Sequence, residues 1–262
     1  MAVIVFDIET IPDVAGIRAL NELPDELSDY EVAEFAFQQR RVASGSDFLP
    51  HHLHRVVTIS CAMRDARQFR VFSLSEPDTG EGQIIQRFFD GVERFTPQLV
   101  SWNGGGFDLP VLHYRGMLHG VGAPRYWDQG EGDYADSRDF KWNGYISRYH
   151  SRHLDLMDLL ALYQPRANAP LDQLARLYGY PGKVGMDGSL VWQAFQDGRI
   201  GEIRDYCETD VVNTYLVYLR FQRMRGQLDA AGLAAEEQVV REALAAIDAP
   251  HWQEFLAAWP EK

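Results

Sequence analysis

At 262 residues the chain is long enough to bury a sizeable core, as one large domain or two small ones. With 46% hydrophobic and 24% charged residues it has an ordinary globular composition, and no stretch approaches the roughly 20 uninterrupted apolar residues of a membrane helix. A net charge of −13 opposes long-range attraction to nucleic acid, so any such contact must be local. The chain opens directly on an apolar run without a basic leader, and two cysteines are too few for a disulfide framework. A cytoplasmic protein with buried thiols at Cys61 and Cys207 and no membrane partner is expected.

The first element is VIVFDIET. Four apolar residues, Val3 to Phe6, predict a strand covered on both faces, with Asp7 and Glu9 at its end. Residues two apart on a strand share a face, so the two acids point the same way and Ile8 the other. Like charges near a core require a proton, a basic partner or a cation. The pattern therefore allows a metal site, or a solvent-facing Glu9 with Asp7 capping a turn.

A loop and a helix around Tyr30 to Arg41 follow, then a loop through His51, His52 and His54. These histidines lack a matching distant pair and read as a loop rather than a zinc site. RVVTISCAMRD and RQFRVFSL predict a β-hairpin, and Ile84, Ile85, Phe88, Phe89 and Val92 mark an amphipathic helix. QLVSW is a short strand, and NGGGFDLP a glycine turn opening a helix with Pro110 in its first turn. There Asp108 is either a helix cap or a ligand, since three glycines let a ligand or another backbone approach closely.

The stretch from Val121 to His153 has no clear period. Its last part interleaves Arg138, Lys141, Arg148 and Arg152 with Phe140, Trp142, Tyr145 and Tyr149. That is the pattern of a single-strand binder, or of a hairpin packing its aromatics inward beneath solvated arginines. HLDLMDLL reads as a strand end or helix start, and LDQLARLYGY as a short helix. The clearest helix is GEIRDYCETDVVNTYLVYLRFQRM, where Ile203, Cys207, Asp210, Thr214, Val217 and Phe221 form a buried stripe with Tyr206 beside Asp210. A helical tail from about Gly226 closes the chain. Strands cluster early and helices late, which predicts one α/β domain around a mixed sheet.

Four acids, Asp7, Glu9, Asp108 and Asp210, thus stand at strand ends and on one helix face. All-oxygen ligand sets select hard cations such as Mg²⁺ or Mn²⁺. FDIET, NGGGFDLP and YCETD resemble, in order, the D-x-E, N-x3-F-D and Y-x3-D motifs of the DEDD exonuclease superfamily with tyrosine in the last motif. The whole chain to about Arg220 resembles stand-alone predicted 3′-to-5′ exonucleases related to the proofreading domain of family B DNA polymerases. HLDLMDLL, GYPGKVGMDG and YCETDVVNTYLVYLR carry that likeness as well.

The resemblance implies an α/β, ribonuclease H-like fold, a mixed central sheet flanked by helices. Residues 1–225 would form the exonuclease domain, and 226–262 a helical tail packed on it or extending it. It implies two Mg²⁺ or Mn²⁺ ions, with Asp7, Glu9 and Asp210 holding the first and Asp108 the second, partly through water. Tyr206 would orient the attacking water; with an ordinary pKa near 10 it is a poor general base. Lys183 in GKVGM, followed by the apolar Met186, would stabilise phosphate charge or else be a solvated loop lysine. Asn103 would bond substrate or brace the glycine turn, and Phe107, Arg148 and Tyr149 are further substrate-binding candidates. The expected partner is single-stranded DNA or a frayed 3′ end, in repair. RNA, or a binding module that has lost catalysis, are the alternatives. No polymerase lies in the chain, so a polymerase or repair partner would be a separate protein.

Overall fold

The computed structural model describes residues 2–75 and 79–260. Five strands, β1 (Val3–Pro12), β2 (His54–Arg64), β3 (Phe69–Ser75), β4 (Gln98–Ser101) and β5 (His153–Asp155), form one sheet in the order β3-β2-β1-β4-β5. The hairpin partners β2 and β3 are antiparallel, as are β1 and β2, whereas β1–β4 and β4–β5 are parallel. This mixed sheet with helices on both faces is the ribonuclease H-like arrangement expected from the sequence.

The helices are α1 (Val14–Leu20), α2 (Asp29–Ser44), α3 (Glu81–Phe95), α4 (Asp108–Leu118), α5 (Ser137–Phe140), α6 (Leu156–Leu160), α7 (Leu171–Leu177), α8 (Val191–Gln196), α9 (Ile200–Met224), α10 (Ala230–Ala245) and α11 (Pro250–Ala258). Local chemistry accounts for several of them. A capping box between Ser28 and Glu31 opens α2, and Gly45 closes it with left-handed backbone. All five apolar residues read as the inner face of α3 are buried. Short helices such as α1 and α8, at seven and six residues, fall below the length at which a period is legible.

Strand alternation divides the core in two. Val5 belongs to the cluster shared with α9, α10 and α11, whereas Ile4, Phe6 and Ile8 belong to the cluster under α3 and α4. Asp7 and Glu9 have the parity of Val5 and therefore face α9.

The acids do not end their strand, because β1 continues to Pro12 through antiparallel pairing with β2 that outlasts the apolar run, with a register shift between Glu9 and Thr10. The other edge of β1 is paired with β4 only over Val3 to Val5, so beyond Val5 it is open. Burial on α9 is also not confined to one stripe. Nearly every residue from Tyr206 to Leu219 is buried, because α10 and α11 cover the side turned away from the sheet, while Asp210 and Phe221 are half-buried. In that cover Leu233, Val240, Leu244, Trp252, Phe255 and Trp259 are buried; residues 261–262 of the predicted tail lie outside the described residues.

Candidate active site

β1, β4 and β5 run parallel; β4 and β5 end side by side at Ser101 and Asp155, next to the middle of the longer β1, and this is the edge at which α/β sheets bind ligands. Asp7 and Glu9 project from β1 toward α9. Asp108, the first residue of α4, reaches the open edge of β1, where its Oδ1 accepts a hydrogen bond from the Ile8 backbone N–H at 3.1 Å. From α9 come Asp210 and, one turn earlier, Tyr206, whose hydroxyl donates to Asp210. Cys207 packs against β1, its sulfur 3.5 Å from the Asp7 carbonyl oxygen and 3.6 Å from Asp7 Oδ2. The sequence marked this thiol only as buried, since nothing local in a helix shows which strand it faces.

The electrostatics follow from crowding. Burial, and then the charges of Asp108, Glu9 and Asp210, push the Asp7 carboxyl well above the usual range. Burial and the charges of Asp210 and Asp108 do the same to Glu9, against a smaller opposite pull from Lys183. Burial raises Asp108 to about 7 and Asp210 to about 6. Tyr206 is raised above its ordinary value by burial and the neighbouring acids, so its phenol stays protonated and donates throughout the neutral range. Four carboxylates this close cannot all ionise without cations among them. Their all-oxygen donor set and partial burial fit hard divalent ions.

Lys183 is the cation that acts on this cluster: its Nζ lies 5.6 Å from the centre of the Tyr206 ring and 3.2 Å from Asp187. Met186 stands on the same loop, in the wall of a cleft that also touches Tyr206. Asn103 takes left-handed backbone, φ 66°, in the turn between β4 and α4. The turn is tight at Gly104, where a Cβ would lie 2.5 Å from the Ser101 Cβ, whereas at Gly106 a Cβ would meet only the end of the Asn103 side chain, at 2.4 Å. Phe107 packs against the rings of Phe48, His51 and His54. The histidine loop thus builds an aromatic wall beside the turn. His54 bonds Thr10 and Leu49, and burial lowers its pKa to about 4.

The stretch 138–153 is neither a hairpin nor a uniform basic platform. Phe140 and Tyr145 are buried, with the Arg152 guanidinium 3.8 Å above the Phe140 ring. Trp142 and Tyr149 are exposed, at 76% and 74%. Arg148 is paired with Asp158 at 2.6 Å and lies over Tyr163, whose ring meets Tyr149 edge to face. Arg148, Tyr149, Asn103 and Gly106 line a cleft of about 790 Å³ beside the glycine turn.

Among the described residues two groups of metal-ligating atoms lie close together: Asp7 and Glu9 with the Cys207 thiol, which burial keeps protonated, and Asp205, Glu208 and His251, which join α9 to α11. Glu208 lies 3.1 Å from Nε2 of His251 and Asp205 lies 3.5 Å from Nδ1. The two acids face opposite ring nitrogens, an arrangement that ties helices together rather than one that converges on an ion.

A family of predicted 3′-5′ exonucleases related to the exonuclease domain of PolB matches residues 46–259. The chain belongs to this family. The matched segment includes Asp108, Tyr206 and Asp210, while Asp7 and Glu9 precede it and are joined to it by the β1–β2 and β1–β4 pairings. Among solved structures, the chain is similar to a family B DNA polymerase from the hyperthermophilic archaeon Pyrobaculum calidifontis, at 18% identity and a TM-score of 0.49. That likeness covers 100% of this chain and 27% of the polymerase chain, so the protein spans about a quarter of its length. No curated protein matches the sequence. Among the described residues no helix is long and apolar enough to cross a membrane.

Proposed function

We propose that the protein is a metal-dependent 3′-to-5′ exonuclease that removes nucleotides from the 3′ end of single-stranded DNA or a frayed duplex. The observation that supports this most is the meeting of Asp7, Glu9, Asp108 and Asp210, raised together in pKa, with Tyr206 donating to Asp210. When bound, two Mg²⁺ or Mn²⁺ ions supply an activated water and charge neutralisation at the leaving oxygen. Asp7, Glu9 and Asp210 would hold one ion and Asp108 the other. Tyr206, its proton given to Asp210, orients the water by accepting a hydrogen bond from it at the hydroxyl oxygen, and Lys183 faces the phosphate. Asn103 and Phe107 sit where the 3′-terminal nucleotide enters. Tyr149, beside Arg148, offers its exposed face to an unpaired base upstream.

A 5′-labelled DNA single strand and its RNA equivalent, followed over time with Mg²⁺, Mn²⁺ or EDTA, test the reading. A ladder that shortens from the 3′ end, needs the ion and runs faster on DNA is expected; no cleavage of either strand under any condition overturns it.

Tyr206→Phe should lower kcat by about 100-fold, the scale of one lost transition-state hydrogen bond, with a smaller loss of about tenfold in Mn²⁺ affinity from calorimetry, because the hydroxyl also donates to Asp210. Because the phenol is held protonated, the wild-type pH–rate profile should show no limb near pH 10 that the variant lacks. Tyr149→Ala should weaken single-strand binding by about 1–3 kcal/mol, read as a higher KM, without lowering the melting temperature, since the ring is exposed. An unchanged KM would remove Tyr149 from the substrate path.

A further inference from the structure

Asp155 belongs to none of the three motifs, yet it is tied to the second of them. It ends the edge strand β5 and caps α6, its Oδ1 accepting from Asp158 N–H at 3.2 Å. The same carboxylate accepts two N–H groups from across the sheet edge, Asn103 at 3.0 Å on Oδ1 and Gly105 at 2.9 Å on Oδ2. Close approach is built in, for a Cβ on Gly105 would lie 3.2 Å from Oδ2.

The turn it grips needs an external template. Three successive glycines give the segment many conformations, and Asn103 must be held in left-handed backbone. Within the turn, Gly106 and Phe107 N–H bond the Asn103 carbonyl and Leu109 N–H bonds that of Gly104. His51 Nε2 contacts the Gly106 carbonyl at 2.9 Å from the far side. Asp155 is the tether on the side of the 790 Å³ cleft, which it also lines. From this turn α4 starts, and the first residue of α4 is Asp108.

We propose that Asp155 is a positioning residue, clamping the Asn103–Gly105 amides so that Asp108 and the Asn103 side chain stand where the second ion and the 3′-terminal nucleotide require them. This rests on the exonuclease reading. The role is geometric, because Asp155 acts through the backbone of another segment; errors of about 1 Å in such placement are large on the scale of catalysis.

The test uses the full chain with Asp155→Ser and Asp155→Asn. Serine caps α6 as well as aspartate does, but its single, shorter oxygen cannot also reach the turn. Asparagine keeps one acceptor and sets an NH₂ against an amide N–H. Three readouts apply: amide hydrogen exchange of the peptide spanning 102–108 in EDTA, Mn²⁺ stoichiometry and affinity by electron paramagnetic resonance, and kcat with KM on the labelled DNA. For Asp155→Ser we expect at least tenfold faster exchange in 102–108 and unchanged exchange in α9. The weaker Mn²⁺ should bind at least tenfold less tightly and the tighter one within threefold. Turnover should fall at least tenfold, and Asp155→Asn should lie between serine and wild type. Unchanged exchange in 102–108 with both Mn²⁺ affinities intact overturns the proposal, as does a loss of protection spread evenly over the chain. Wild type that binds Mn²⁺ and cleaves neither strand would overturn the exonuclease reading alone, since exchange and Mn²⁺ binding still report whether Asp155 places Asp108.

Discussion

Asp7→Asn is expected to lose at least about a thousandfold in exonuclease turnover, the equivalent of about 4 kcal/mol of transition-state stabilisation. In EDTA the same variant should melt no lower than wild type. Both halves follow from one geometry. Asp7 is the carboxylate nearest the middle of the cluster, pushed up by burial and by Asp108, Glu9 and Asp210 together. On the exonuclease reading it is a ligand when ions are bound; without them it is a buried carboxyl that must either keep a proton or repel its neighbours. Asparagine has the same shape and removes the repulsion, so the metal-free fold gains or is unchanged. Scanning calorimetry of both proteins with EDTA and with saturating Mn²⁺ separates the two effects. Wild type should rise on adding Mn²⁺, by about 2.7 kcal/mol at one hundred times Kd, and the variant much less. A variant that melts well below wild type in EDTA would make Asp7 a structural residue instead.

The second large effect is the pH dependence of the metal-free protein. Between pH 6.5 and 8.5 its melting temperature should fall in EDTA and recover with Mg²⁺ or Mn²⁺. Folded-state pKa values of Asp7, Glu9 and Asp108 lie above their unfolded values, with Asp108 at about 7. The folded chain therefore keeps protons that the unfolded chain has released. This contribution is fully present below about pH 4 and is lost as pH rises through the folded values. Asp210, at about 6, has lost most of its share before the window opens. Opposing groups act only at the low end of the window. His54, His113 and His153 are lowered to about 4 by burial and stabilise the fold as pH rises through their ordinary value of 6.5, becoming neutral in both states about one pH unit above it, so the fall should be steepest in the upper part of the window. Glu236 and Asp187, lowered by Arg64 and by Ser189 with Lys183 respectively, lose their contribution only at acid pH. Each kcal/mol should appear as about 2–4 °C in a chain of this size. Divalent ions bind the deprotonated carboxylates, so their stabilising effect should grow over the same interval. A melting temperature that is level or rising in EDTA, with no response to either ion, would deny the cluster its role.

How much of this was legible depends on whether the signal was local. The inner face of α3, the β2–β3 hairpin and the long helix α9 follow from periodicity, because packing onto a sheet imposes the helical or strand period on the residues themselves. The alignment of Asp7 with Glu9 is of the same kind. The length of β1 is not, since pairing with β2 carries it through polar residues that have no strand pattern of their own. In the stretch 138–153, Phe140 and Tyr145 go inward while Trp142 and Tyr149 stay outside, and no period distinguishes them, because irregular backbone sets each side chain separately. Asp155 left the faintest trace. Its partners are backbone amides some fifty residues away, which any residue type except proline could supply.

The set of acids, their order along the chain, the strand face shared by Asp7 and Glu9, and the neighbourhood of Tyr206 and Asp210 on one helix all follow from relations within a few residues. That these pieces meet is a product of the tertiary fold. The early end of β4 pairing leaves β1 an open edge, through which the Ile8 N–H reaches Asp108, and the parity of Val5 turns Asp7 and Glu9 toward α9. Those outcomes depend on sheet order and register between segments far apart in the chain, and no single segment contains the information to set them.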